Sequence, residues 1–347
     1  MGLIPVLIVV VLVGLLAVGV WLVVRRAVAG AQQGGISEPE LSVATRSQVS
    51  SVLRGDALAA VAALIVGGSG AAVMCLIGSS WGRGYGVTYA LAGGVGALLG
   101  LLVYMFYPRP VWLSGEGDRV VAELAPRGPT SFARQWVFVL PLSAAIMLIL
   151  GLVLTGSYSA TDENGLHRVF QRRSLSGWGV EAGQVIDVQY NLSTNGPFPG
   201  WYYGVPVIIC TLLLIATVYW ALHRTAAEPR PGSADLFSAD TFLRSHRTMF
   251  IMSASSAALA SQIAGLAAIT GTVLAAAHRD PVPTANLDTV AGTILVEPGH
   301  TLGVILILLS LIVAIAAVAL LIRACSTIAT LWSTGGQMRS EQSQHVR

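Results

Sequence analysis

Lysine is absent from this chain of 347 residues; all 20 basic residues are arginine. Charge of either sign is scarce, 11% of the residues, where a soluble domain carries about 25%. That leaves too little polar surface to hold a chain of this size in water, and the solvent that fits is lipid. The net charge is only +3 and the arginines are scattered, so no basic patch exists for nucleic acid. Cysteine is limited to Cys75, Cys210 and Cys325, each in or beside an apolar run, with no CxxC spacing. An odd count cannot close a disulfide framework. The three read as small buried hydrophobes, although a Cys75–Cys210 bridge is compatible with both lying towards one side. No Walker A, HExxH, dinucleotide or kinase motif occurs, and no two histidines have metal-site spacing. No cofactor and no metal are therefore expected. The arginine-only usage, with abundant Ala, Gly and Val, points to a GC-rich bacterial genome.

What the chain has in excess is long apolar runs: 54% of residues are hydrophobic and mean hydropathy is +0.71. A bilayer core about 30 Å thick needs roughly 20 apolar residues in a helix. Seven runs qualify. They are Leu3–Val24, Ala57–Ile77, Val87–Tyr107, Trp136–Thr155, Tyr203–Leu222, Phe250–Ala276 and Leu302–Ile322. The first is followed by Arg25 and Arg26 rather than preceded by charge, which favours a retained anchor over a cleaved leader. The sixth, rich in Ala and Ser, reads as partly tilted or interfacial. The expected fold is thus an all-α polytopic membrane protein of seven transmembrane helices. Arginine sets the orientation. With the N-terminus outside, outer segments hold Arg83, Arg168, Arg172, Arg173 and Arg279, 5 in all, and inner segments hold the other 15. The chain is expected in the cytoplasmic membrane, N-terminus out and C-terminus in.

The implied organisation is an anchor at 1–24, a cytoplasmic segment at 25–56 and a helical hairpin at 57–107. A cytoplasmic loop at 108–135 leads to a pair at 136–222 that carries an extracytoplasmic loop, 157–200. A second cytoplasmic loop at 223–249 leads to a pair at 250–322 with an outer loop at 278–300, and 323–347 is a polar, frayed tail. Three successive units of an Arg-bearing inner segment followed by a helical hairpin form at most a topological repeat. Aromatic residues near the helix ends, Tyr104, Tyr107, Trp136, Tyr219 and Trp220 among them, suit interfacial belts.

The central loop carries β signals. Asp162-Glu163-Asn164-Gly165 is turn chemistry. Leu166–Leu175 holds β-formers, and Ser176-Gly177-Trp178-Gly179 reads as a second turn. Val185–Leu192 alternates, with Ile186, Val188, Tyr190 and Leu192 on one face, as a half-buried strand would. Thr289–Val296 is a third candidate strand. Together they predict one small antiparallel sheet, built from both outer loops, leaning on the bundle.

Candidate sites are few. Gly67, Gly70, Gly93, Gly96 and Gly100 let helix backbones approach closely, so the second and third spans are expected to pack as a hairpin. Pro141 is placed to kink the fourth. Arg168, Arg172 and Arg173 run against the positive-inside pattern and, with Trp178, form a candidate ligand-binding set for an anionic group. Gly67-Gly68-Ser69-Gly70 resembles the GxSG of rhomboid intramembrane proteases over those four residues only. That resemblance implies a serine nucleophile paired with a histidine inside another helix, and no span here holds one. Gly78-Ser79-Ser80-Trp81-Gly82 matches a nucleophile elbow but lies between two membrane helices, the wrong context. No Asp, Glu, Arg or His falls inside any apolar run, where ion-coupled carriers place such groups. Gln262 and the serines of the sixth span are expected to bond between helices. The sequence predicts a non-enzymatic multi-pass protein that binds something in the envelope or serves as a subunit of a membrane complex. The alternative is a permease, or permease subunit, for an uncharged or amphiphilic solute, with Gly-rich helices lining a path without charges. Expected partners are the lipid bilayer and a membrane protein or second copy.

Overall fold

The computed structural model describes residues 43–80, 85–110, 112, 128, 130–181, 184–283 and 290–345. The run Leu3–Val24 lies outside the described residues. The other six runs are helices, each long and apolar enough to cross a membrane. They are α1 (Val43–Ser80), α2 (Val87–Phe106), α3 (Gln135–Ser157), α4 (Trp201–Ala227), α5 (Phe237–Ala277) and α6 (Gly299–His345). Large apolar side chains left uncovered on α3, α4 and α6, such as Met147, Leu213 and Ile312, form the surface that lipid would cover. The chain is a mostly helical membrane protein.

Three helices outrun the bilayer. α1 has 38 residues, α5 has 41 and α6 has 47, against the roughly 20 that span a hydrocarbon core. The surplus on α1 is amphipathic. Val49, Val52, Leu53, Asp56, Ala60 and Ala63 recur at three- and four-residue steps and are all buried. α6 runs alongside, where Ser50 donates to the Gly335 carbonyl at 2.6 Å and Arg54 stacks on Trp332. The tail expected to fray after Gly335 is therefore helix to His345, because α1 gives it a surface to pack on.

α5 is the central helix. Across its most apolar stretch 44% of residues are buried, against 11% in α1 and in α6. The Ala- and Ser-rich composition that read as an interfacial helix instead reflects close neighbours, since only small side chains fit beneath helices on several sides. Gly271 and Gly303 mark the α5–α6 contact, where a Cβ on Gly271 would stand 2.6 Å from the Gly303 carbonyl oxygen. The expected α1–α2 hairpin forms in the same way. A Cβ on Gly96 would meet the Gly67 carbonyl oxygen at 2.5 Å, and one on Gly100 the Ala63 carbonyl oxygen at 2.7 Å. Pro141 and Pro206 sit inside α3 and α4. All three cysteines are free, so the Cys75–Cys210 bridge is not made.

The three connections α1–α2, α3–α4 and α5–α6 share one end of the bundle. Two of them carry strands, and together they make up the hairpin face. In the first, β1 (Ala160–Thr161), β2 (His167–Glu181) and β3 (Gln184–Asn195) form an antiparallel sheet in the order β1-β2-β3. In the second, β4 (Arg279–Pro283) pairs with β5 (Val290–Leu295). The single sheet expected from both loops is thus two separate sheets, because each strand pair closes on its own hairpin before it can reach the other. Ser176–Gly179 is not a turn either. It continues β2, with Gly177 opposite Gln189 and Trp178 opposite Val188. Ladder irregularities beside Gly177 and Gly179 absorb what these glycines would otherwise break.

Candidate functional site: paired apolar chambers in the bundle

On the hairpin face, the Asp162 turn forms as its sequence predicts. The Asp162 carboxylate accepts from the Asn164 and Leu166 amides at 2.9 Å each, and Gly165 takes φ +75°. The same carboxylate pairs with Arg168, whose guanidinium lies 3.7 Å from the Tyr85 ring centroid. Partial burial pushes the Asp162 carboxyl up, but the two amides and Arg168 outweigh it and hold it below the usual carboxylate range. Arg172 donates to the Ala277 carbonyl at 2.6 Å and pairs with Asp280 at 2.7 Å. It thereby ties the first hairpin to the end of α5 and to β4. Of the four residues expected to bind a ligand, Arg168 and Arg172 are thus engaged by carboxylates of this chain. Arg173 is exposed on β2. Trp178 sits in the β2–β3 ladder, and its side chain lies outside the described residues. Among the described side chains of this set, Arg168 and Arg172 turn to different carboxylates, Asp162 and Asp280.

The same hairpin holds a lid. Leaving β3, Pro197-Phe198-Pro199 folds back over the helix ends, and the Phe198 amide donates to the Arg168 carbonyl at 2.8 Å. Phe198 is buried against Phe170, ring centroids 5.4 Å apart. Gly200 is required where the chain passes β2, since a Cβ there would stand 2.1 Å from the His167 carbonyl oxygen. Tyr203, opening α4, donates to the Tyr85 carbonyl at 2.6 Å and pins the α1–α2 connection to this assembly.

Beneath the lid lies a chamber of about 510 Å³ between α2, α3, α4 and α5. Leu148, Leu152, Val207 and Leu266 give it an apolar wall, and Gln262 and Ser261 are polar side chains that line it. The Gln262 amide nitrogen reaches the Ala90 carbonyl at 3.5 Å, an interhelical bond of the kind expected. Its amide oxygen is buried and has no hydrogen-bond partner among the described residues, a state that costs free energy until a donor arrives. The neighbouring serines behave differently from expectation. Ser255 and Ser261 bond to carbonyls of their own helix, Ile251 and Ala258, because the backbone four or three residues back is nearer than any other helix.

A second apolar chamber, also about 510 Å³, lies further from the hairpin face between α1, α2, α5 and α6. Its wall includes Gly67, Gly96 and Gly100, three of the glycines picked out by spacing, and Gly68 beside them. Gly93 and Ser261 belong to the walls of both chambers. A Cβ on Gly93 would lie 3.3 Å from the Ser261 hydroxyl, so the two chambers share a thin wall of very small side chains. Ser69, the serine of the protease-like motif, donates to the Val66 carbonyl of its own helix at 3.1 Å.

The opposite end is closed by charges that the apolar runs did not reveal. Asp56, fully buried, accepts from Arg247 at 2.8 Å and from the Tyr104 hydroxyl at 3.0 Å, and pairs with Arg109 at 3.0 Å. Tyr104 is therefore a core residue rather than part of an interfacial belt. Arg247 also pairs with Glu228. One turn earlier Arg244, 1% exposed, pairs with Asp240 and donates to carbonyls at the end of α4. Tyr104 and Phe250 stack across the boundary, ring centroids 4.8 Å apart, between these charges and the second chamber. The sequence signal was Asp56 and Arg247 placed directly before two apolar runs, but nothing in their spacing paired them.

Comparison with protein-family models, with curated proteins and with solved structures found no match to this chain.

Proposed function

We propose that this protein is a non-enzymatic membrane protein that takes up an uncharged, largely apolar or amphiphilic small molecule and lets it pass between the two chambers. One observation carries this reading: two apolar chambers of about 510 Å³ each share Gly93 and Ser261 in their walls. Each is within the size that holds a small organic ligand, about 300–1,000 Å³. Among the described residues the walls carry no ionisable carboxylate, guanidinium or imidazole, which argues against a charged solute. The unpartnered Gln262 oxygen selects for a ligand with one hydroxyl or N–H donor. On this reading the buried ion cluster around Asp56 closes the far end. In this proposal the hairpin face is extracytoplasmic, as the arginine distribution implies, and the Phe198 segment is the outer gate.

Photolabelling with a diazirine-bearing long-chain alcohol, on the full chain in lipid nanodiscs, tests the proposal. Labelled peptides should come from α2 and α5 around Gly93 and Gly265. Gly265→Leu should block labelling in the chamber beneath the lid, because a side chain there enters open space with nothing within 4 Å of its Cβ. Gly93→Leu should preserve that labelling and abolish it around Gly68. Label confined to the lipid-facing sides of α3 and α6 and indifferent to Gly265→Leu would refute the proposal. Orientation is checked separately by single cysteines at Ser174 and Ser333 in a cysteine-free background. Labelling of Ser174→Cys alone from outside whole cells is expected.

A further inference from the structure

Four cavities lie in line between the two ends of the bundle. A cleft of about 370 Å³ on the hairpin face is lined by Arg168, Gly196 and Pro197, among others. The chamber beneath the lid follows, then the second chamber. A cavity of about 470 Å³, lined by Tyr104, Arg224 and Glu228 among others, completes the series at the opposite end. Two helices running in opposite directions give the same order. Along α2, Tyr89 lines the first chamber, Gly93 both chambers, Gly100 the second and Tyr104 the far cavity. Along α5, read from its end backwards, Ile269, Ser261, Phe250 and Arg247 do the same. Between Arg247 and Ile269 α5 rises about 33 Å, at ~1.5 Å per residue. The series is thus about as long as a bilayer core is thick, roughly 30 Å. Its middle is apolar, and charged side chains line the cavities at its two ends.

The partitions differ in kind. Tyr85, Pro197 and Tyr203 belong to the walls of both the outer cleft and the first chamber. Tyr203 is bonded to the Tyr85 carbonyl, and the Tyr85 ring lies under the Arg168 guanidinium, which Asp162 holds. At the other end Phe250, in the wall of the second chamber, packs on Tyr104, in the wall of the far cavity. The Tyr104 hydroxyl donates to Asp56 at 3.0 Å. Its ring centroid lies 4.2 Å from the Arg109 guanidinium, which the same carboxylate holds. Each end partition is therefore an aromatic ring covered by an arginine that is tied to a carboxylate. Between the two chambers stand Gly93, which has no side chain, and Ser261, whose hydroxyl donates to the Ala258 carbonyl of its own helix at 2.7 Å. A pocket that only stores a ligand needs one latched entrance. Two latched ends on a series of this length suit passage from one face to the other, with one end shut at a time.

We infer that the protein translocates an uncharged amphiphile across the bilayer, with the Tyr104–Phe250 pair as the inner gate between the second chamber and the far cavity. The inference rests on the uptake proposed above and adds the exit: the far cavity is where the solute leaves.

Cys325 lines the second chamber and serves as the reporter. The full chain, with Cys75→Ala and Cys210→Ala, is reconstituted in vesicles, and the membrane-impermeant thiol reagent MTSES is added on the side opposite the hairpins. The native gate should protect Cys325. Tyr104→Phe should speed its modification about 10-fold, the population shift expected when one hydrogen bond to a charged acceptor is lost. Phe250→Ala takes a ring out of the partition and should speed it further. Tyr203→Phe is the control: it loosens the outer partition and should leave the Cys325 rate from this side unchanged. Folding of each variant is verified by Tm. Octyl glucoside below its micellar concentration is the solute probe. It should slow Cys325 modification in Tyr104→Phe, and its radiolabelled form should enter proteoliposomes faster than protein-free vesicles, an advantage that Gly265→Leu removes. Equal Cys325 rates in the native chain and both gate variants overturn the inference. So does an equal gain in Tyr203→Phe, which would mean general loosening. If the probe slows Cys325 modification yet does not cross, the uptake reading stands and translocation falls. If the gate variants act but the probe neither protects Cys325 nor crosses, the uptake reading falls with it.

Discussion

Replacing Asp56 with asparagine removes the one anion that three groups share. The carboxylate is fully buried and holds Arg247, Arg109 and the Tyr104 hydroxyl at 2.8–3.0 Å. Breaking a buried ion pair by deleting one partner costs about 3–5 kcal/mol, because a charge is left without compensation. Two features set the value at the lower end of that range. Arg247 keeps Glu228, and Arg109 has 14% of its side chain in contact with solvent. The expected loss is therefore about 3 kcal/mol, of which the Tyr104 bond to a charged acceptor accounts for about 1.5 kcal/mol. In a detergent melt that corresponds to a fall in Tm of roughly 6–12 °C, taking about 2–4 °C per kcal/mol. Tyr104→Phe should show about half the effect. Asp56→Asn combined with Arg247→Gln should cost clearly less than the two single changes added, because the second removes a charge that the first stranded. A fall of less than about 2 °C for Asp56→Asn, or strict additivity in the double variant, would refute the claim that this cluster closes the bundle.

Other outcomes follow from the same geometry. Gly96→Val should destabilise by about 1–3 kcal/mol as an overpacked contact, since its Cβ meets a backbone oxygen 2.5 Å away, whereas Gly68→Val should leave Tm unchanged because nothing lies within 4 Å. The hairpin face should loosen in acid. The Asp162 and Glu297 carboxyls are held below their ordinary values, Asp162 against its partial burial by amides and Arg168, Glu297 by hydrogen bonds from Thr301. The unfolded state therefore binds the extra protons, and the stabilisation is intact above the ordinary carboxylate pKa of about 4 and lost progressively below it. Hydrogen-exchange protection factors in residues 160–170, taken relative to the intrinsic rate at each pH, should fall as pH falls through that window, and Asp162→Asn should show low protection at every pH. Equal protection factors above and below that window in the native chain would contradict this assignment.

Much of the bundle is legible without coordinates because a bilayer imposes length and apolarity on each crossing segment separately. Five of the six described helices contain the whole run that announced them and extend beyond it by up to about twenty residues, while α2 ends at Phe106, one residue short of its run. That surplus was illegible because hydropathy measures the lipid-facing stretch and not the amphipathic continuation that packs on a neighbour. Glycine spacing is equally local, so Gly67, Gly96 and Gly100 pointed correctly to the α1–α2 contact. The Asp162 turn and the alternating strand at Val185–Leu192 were legible for the same reason: each is decided within a few residues. Ser176–Gly179 was not, because a partner strand can hold Gly-rich sequence extended.

The candidate sites belong to the second kind of information. Arg168 and Arg172 looked available because their partners, Tyr85, Ala277 and Asp280, arrive from other connections. Gln262 becomes the polar spot of a chamber only once four helices and the Phe198 segment surround it. Asp56 and Arg247 are 191 residues apart, and each alone reads as an ordinary charge at a helix end. Local physics, set by lipid thickness, turn chemistry and residue size, is written in the sequence itself. Which charges meet, and which small side chains leave a space between them, is decided only when helices distant in the chain are brought side by side.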